Sequence, residues 1–203
     1  MYLNVVKFLH SKLISKKRLD ILCARISKII PDNVKTVLDI GCGNGELSFR
    51  IANERHHLFV TGLEVIKNKD CAIPCRIYNG DKIPLRSNSV DLCLLVDVLH
   101  HNTDIPRNIA EAKRVSKRYL IIKDHAYKNL FGLYLLRIMD WVGNKPYGVG
   151  LPFNYQKKSQ WLNIFKSQGL KVLKFNEHIP VHFVNFDKIF HNKFHFVTLL
   201  EKT

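Results

Sequence analysis

No apolar run in these 203 residues reaches the roughly 18 that a membrane-spanning helix needs. The opening stretch, MYLNVVKFLHSKLISKKR, has neither a long apolar core nor a small-residue cleavage site. No signal peptide is therefore expected, and the chain reads as cytoplasmic. Cysteine is sparse and odd in number. Cys23, Cys42, Cys71, Cys75 and Cys93 stand at irregular spacings, which argues against a disulfide framework of the secreted kind. Cys71 and Cys75 could supply two metal ligands, but no second pair with zinc spacing follows, so structural thiols and no metal are expected. Internal repeats and low-complexity segments are absent. Acidic residues are few beside basic ones, 17 against 32, giving a net charge of +15. Length and a 46% hydrophobic fraction fit one domain with a sizeable core.

What is present is organised around Val37–Glu46, VLDIGCGNGE. Val37, Leu38 and Ile40 read as a buried strand. Gly41, Gly43 and Gly45 form the turn after it, and Glu46, Leu47, Ile51 and Ala52 open a helical pattern. Strand, glycine turn and helix begin a nucleotide-binding βαβ unit. The spacing is not that of a dinucleotide fingerprint, which would need a third glycine where Glu46 stands.

Asp39-Ile40-Gly41-Cys42-Gly43-Asn44-Gly45 resembles the first motif of class I S-adenosylmethionine (SAM)-dependent methyltransferases. Later segments extend the resemblance. His56–Leu63 reads as a second strand ending at Glu64, 19 residues after the last motif glycine, where an acid can accept hydrogen bonds from both ribose hydroxyls. A surface glutamate after a strand is the plainer reading. Cys75–Asn79 reads as a third strand. Gly80-Asp81-Lys82-Ile83-Pro84-Leu85 and Arg86–Asp91 then resemble the family segment whose acid contacts the adenine amino group, with neighbouring backbone N–H groups facing the ring. Val90–Val96 is a continuous apolar run, as in a central parallel strand, and it ends in Asp97-Val98-Leu99-His100-His101, similar to the L-H-H ending of one large branch of the family.

The resemblance implies a Rossmann-like, doubly wound, mostly parallel α/β sheet with helices on both faces and a C-terminal antiparallel strand pair. It implies SAM as cofactor, with S-adenosylhomocysteine (SAH) as product. Cofactor contacts are expected from Asp39, Gly41, Cys42, Gly43, Gly45, Glu64, Asp81, Lys82, Ile83 and Asp97. One methyltransferase domain over residues 1–203 is expected. Its parts are N-terminal helices to residue 30, a cofactor core over 37–126, an insertion or substrate cap over 127–158, and a helix with a strand pair over 159–203.

The remaining segments are read from their patterns. Val5, Val6, Leu9 and Leu13 recur near helical spacing among basic residues, and Leu19, Leu22, Ile26, Ile29 and Ile30 repeat the pattern before Pro31. Residues 105–116 read as a crossover helix and Tyr119–Ile122 as the fifth strand, ending at Lys123-Asp124-His125. Leu130–Trp141 is apolar but too short to span a bilayer. Trp141, Tyr147, Phe153 and Tyr155 suit an apolar or aromatic acceptor pocket, or simply helix packing. Ser159 is expected to cap a helix over 160–168. Leu170–Asn176 and Phe194–Leu200 read as the last strands, around a connection with Phe183, Phe186 and Phe190.

SAM carries an activated methyl group, so positioning carries much of the catalysis, about 7–11 kcal/mol. A hydroxyl or amine acceptor that must lose a proton gains from a base, and His100, His101 and His125 stand at the expected strand ends. These histidines either act as base and orient the acceptor or pack the strand ends. The tetrad [DN]-P-P-[FY] of many DNA and protein amine methyltransferases is replaced by Asp97-Val98-Leu99-His100. Charge is uneven: net +6 over residues 1–36, +2 over 37–126 and +7 over 127–203. The leading expectation is methyl transfer to a small-molecule or lipid-like acceptor, with the basic flanks suited to peripheral contact with an anionic membrane surface. An RNA methyltransferase using the basic flanks and a non-catalytic SAM-binding regulatory protein are the alternatives, and RNA stays open as a partner.

Overall fold

The computed structural model describes residues 16–66, 70–144, 150–177, 179 and 194–203. The apolar pattern of Val5 to Leu13, Tyr147, and the connection with Phe183, Phe186 and Phe190 lie outside the described residues. Helix α1 covers residues 16–27, and the chain turns over 28–30 ahead of Pro31, which cannot continue a helix. Strand β1 (Thr36–Ile40) leads through the glycine turn into α2 (Glu46–Glu54). Strands β2 (Phe59–Glu64), β3 (Cys75–Ile77) and β4 (Val90–Val96) follow. A one-turn 3-10 helix, Leu99–His101, precedes α3 (Ile105–Val115), where Asp104 caps the first turn by accepting from the Arg107 N–H. Then come β5 (Ser116–Tyr127), α4 (Leu130–Asn144), β6 (Gln156–Lys157), α5 (Lys158–Ser167), β7 (Leu170–Glu177) and β8 (His195–Lys202).

The sheet runs β3-β2-β1-β4-β5-β8-β7, with β6 beside the end of β5. Pairings from β3 to β5 are parallel, and β8 is antiparallel to both β5 and β7. Successive strand residues face opposite sides. Val37, Leu92, Leu94, Ile121 and Val197 pack with α1 and α2 on one face. Leu38, Cys93, Leu95, Leu120 and Ile122 pack with α3 and α5 on the other. This is the doubly wound sheet with a closing antiparallel pair that the family resemblance implies.

Several boundaries differ from the sequence reading. Residues 56 and 57 form a turn, so β2 starts at Phe59 rather than His56, and β3 stops at Ile77. Strand β5 is far longer than Tyr119–Ile122, because Lys123 and Asp124 are fully buried on it with charged partners of their own. Helix α5 begins at Lys158. The Gln160 side chain accepts from the Lys157 N–H at 2.7 Å, which leaves Ser159 inside the first turn rather than at the cap. The crossover from β2 to β3, residues 65–74, holds no helix among its described residues.

Candidate functional site

Chain order reverses between β1 and β4, so the crevice beyond their C-terminal ends is the topological switch point. A cleft of about 580 Å³ opens there, lined by Gly41, Gly43, Glu64, Tyr78, Gly80 and Asp97 among others. Gly41 has φ +75°, and a Cβ there would lie 2.5 Å from Val98 Cγ2, so the turn admits only glycine without rearrangement. The Glu64 carboxylate reaches into the turn: Oε2 accepts from the Gly43 N–H and Oε1 from the Val65 N–H, both at 2.7 Å. Its remaining lone pairs can accept from a ligand diol.

Of the other expected cofactor residues Asp97 also lines the cleft, whereas Asp39, Cys42, Gly45, Asp81, Lys82 and Ile83 do not. Asp39 is buried beneath the turn, where the Ser48 hydroxyl donates to Oδ2 at 2.6 Å and Oδ1 has no hydrogen-bond partner among the described residues. Burial pushes its pKa up to about 7, the Ser48 hydrogen bond opposing and the Glu64 charge adding. The Cys42 side chain turns away from the cleft, toward Cys75. Gly45 begins α2 with φ +71°. Asp81 is exposed, 3.7 Å from the Arg107 guanidinium, and Lys82 is exposed beside it. Ile83 belongs to the core, and its N–H donates to Glu111 Oε2 at 3.0 Å, so that N–H does not face an adenine ring.

A second chamber of about 300 Å³ adjoins the cleft, and Asp97 and His101 line both. His100, His125, His195, Tyr155 and Asp140 complete much of its wall. The structure thus gathers all three expected histidines and adds a fourth. Asp97, at φ +55°, receives an ion pair from Arg18 of α1 at 2.5 Å and another from the buried Lys123 of β5. Burial would raise the Asp97 pKa, but the two cations outweigh it and hold the carboxyl well below its usual range. Lys123 also contacts His195 Nδ1 at 3.1 Å.

His100 Nδ1 meets Asp124 Oδ1 at 2.7 Å, and its ring stacks on Tyr155 at 5.1 Å. Burial favours neutral His100, yet the Asp124 charge and hydrogen bond prevail and raise its pKa. Asp124 is held below the usual range because His100 and His125 overcome its burial. His101 moves the other way: burial and the neighbouring His100 lower its pKa. Burial and Lys123 bring His125 down to about 4. His101 and His125 are therefore neutral near neutral pH beside the anionic Asp97 and Asp124, a setting that can orient a polar group and accept its proton.

Sequence reading missed Arg18, Lys123, Asp140 and His195. Their common signal is weak: a charged or histidine side chain in an otherwise apolar helix or strand, which becomes meaningful only once the elements meet. Trp141 is exposed rather than in the chamber wall, and Tyr155 is buried within it. Helix α4 turns Leu136, Met139 and Asp140 toward the chamber. On its other side Phe131, Tyr134, Ile138, Trp141 and Val142 are exposed, an apolar stripe at helical spacing. No helix among the described residues is long and apolar enough to cross a membrane. Asp97, His125 and His195 bring ligand atoms within 4.8 Å of one another, but a cation there would face Arg18 and Lys123.

Residues 38–121 match the family described as Methyltransferase domain. No curated protein matches the sequence. Solved structures share the fold at low identity. One chain of the complex between the Haloferax volcanii Trm112 methyltransferase activator and a methyltransferase aligns at TM-score 0.67 and 12% identity, covering 94% of both chains. A SAM-dependent methyltransferase from Methanosarcina mazei aligns at 0.62 and 17%, covering 87% of this chain and 96% of its own. Magnesium protoporphyrin IX methyltransferase from Synechocystis, solved with bound SAH, aligns at 0.62 and 16%, covering 94% and 84%.

Proposed function

We propose that the chain is a class I SAM-dependent methyltransferase and that its acceptor is a small lipid-like molecule whose polar end enters the histidine chamber. SAM supplies a methyl group on a sulfonium, and the cleft suits it in size and in its glycine floor. The observation that carries the reading is the shared wall: Asp97 and His101 line both the cofactor cleft and the chamber. A nucleophile in the chamber then meets the cofactor at that junction.

The chain's own residues have three tasks. The glycine turn, with Glu64 at its edge, holds the cofactor. The chamber wall orients the acceptor and excludes water. His101, kept neutral by burial and by His100, takes the acceptor's proton, while the His100–Asp124 pair fixes the wall behind it. Preference for a lipid-like molecule rests on α4, whose inner side borders a small polar chamber and whose outer side is an apolar stripe. Such a helix lies naturally in a membrane interface, with the acceptor's tail beside it.

Calorimetric titration of SAM and SAH, with NAD as control, tests the cofactor reading. Micromolar binding that Gly41→Ala abolishes is expected, and absence of binding to folded protein defeats it. His101→Ala is expected to keep SAM binding and to slow single-turnover methyl transfer by about 10²–10⁴. Unchanged transfer removes the base assignment.

A further inference from the structure

Three of the five cysteines meet on the far side of the glycine turn. Cys42 in the turn, Cys71 in the crossover and Cys75 at the start of β3 bring their sulfurs within 4.8 Å of one another, and Cys42 Sγ lies 3.4 Å from Cys75 Sγ. All three are partly buried. Two glycines leave the room they occupy. A Cβ on Gly62 would stand 2.5 Å from Cys42 Sγ, and one on Gly45 would stand 2.9 Å from Cys71 Sγ. The crossover is also fastened by backbone, the Ala72 N–H donating to the Asn44 carbonyl of the turn at 2.8 Å and the Gly62 N–H of β2 donating to the Pro74 carbonyl at 2.8 Å.

This crossover joins two parallel strands through residues 65–74 with no helix among its described residues. Parallel connections usually need a dozen or more residues and bury a helix against the sheet. Among the described residues the apolar cover is Ile73, with Cys42 and Cys71 packed beside it. Tetrahedral zinc with bonds of about 2.3 Å sets its sulfurs roughly 3.8 Å apart, inside the span these thiols already occupy.

We propose that Cys42, Cys71 and Cys75 form a binding site for a thiophilic d10 cation, Zn²⁺ foremost, which staples the short crossover to the glycine turn. Three zinc–sulfur bonds form, three thiol protons leave to solvent, and a fourth position remains for water or an added thiolate. Spacing along the chain hides the site, because Cys42 precedes Cys71 by a helix and a strand. The inference does not depend on the acceptor or on methyl transfer, since its readout is metal binding.

The test uses the full chain, kept reduced with a phosphine, and Co²⁺ as a spectroscopic probe. One equivalent of Co²⁺ is expected to give an intense thiolate-to-metal charge-transfer band, which Zn²⁺ then abolishes by displacement. Cys71→Ser and Cys75→Ser are each expected to diminish the band and to weaken Zn²⁺ at least about tenfold in competition with a chromogenic chelator, while Cys23→Ser changes neither. Circular dichroism checks that each variant is folded, and the two serine variants lie at the crossover rather than in the sheet centre. Absence of the band in wild type overturns the proposal, as does Co²⁺ held without it, which would place the metal in the histidine chamber. A band unchanged in both Cys71→Ser and Cys75→Ser also overturns it.

Discussion

At the residue scale Asp39 sets a measurable cost. A carboxylate with one oxygen buried and unpartnered among the described residues is disfavoured as an anion, and burial lifts its pKa to about 7. In the unfolded chain it titrates near 3.9. Below that value both states hold the proton and nothing is lost. As pH rises from about 4, the unfolded chain releases the proton while the folded one retains it, so stability declines until the folded group has titrated near 7. The three-unit difference is worth about 4 kcal/mol. Asp39→Asn copies the protonated form. In urea unfolding of the cofactor-free protein, the variant should match wild type near pH 4 and exceed it by up to about 4 kcal/mol near pH 8. Parallel stability curves across that range would refute the assignment.

Elements differ in how openly the sequence declares them. The apolar run Val90–Val96 is the fourth strand to the residue, because a central parallel strand is apolar on both faces and needs no partner to be recognised. Strand β5 is only half legible: Lys123, Asp124 and His125 look like a strand's end until Asp97 is seen to pair with Lys123 and His100 with Asp124. The glycine turn is visible as a motif, yet the directions of Asp39, Cys42 and Ile83 depend on Ser48, Cys75 and Glu111, which lie 9, 33 and 28 residues further along the chain. Helix α4 is legible as apolar but not as two-sided. Its outer stripe gives an element-scale prediction. Phe131→Glu with Ile138→Glu alters two exposed positions, so the melting temperature and SAM affinity should hold. Binding to anionic phospholipid vesicles, measured by co-sedimentation, should fall at least about tenfold, since each apolar side chain buried in an interface contributes roughly 1.5–3 kcal/mol. Equal sedimentation of variant and wild type would detach α4 from any membrane role.

For the whole molecule the dominant quantity is the charge of +15, concentrated outside the central core sequence. Attraction of this kind is long-ranged and screened, with a Debye length of about 10 Å at 0.1 M salt. Vesicle binding should therefore weaken steeply between about 0.05 and 0.5 M salt while SAM binding changes little. The same titration against single-stranded RNA separates the alternatives: tight binding with a steep logarithmic salt slope, beside none to vesicles, would favour a nucleic-acid acceptor. The ion pair between Arg18 and Asp97 joins positions 79 residues apart. It makes the start of α1 part of the wall between the cleft and the chamber although no cofactor motif lies there. A shortened chain beginning at Leu19 would preserve every strand and still leave the junction one cation poorer. Where an expression boundary or affinity tag is placed is thus a chemical choice about the carboxylate between the two cavities.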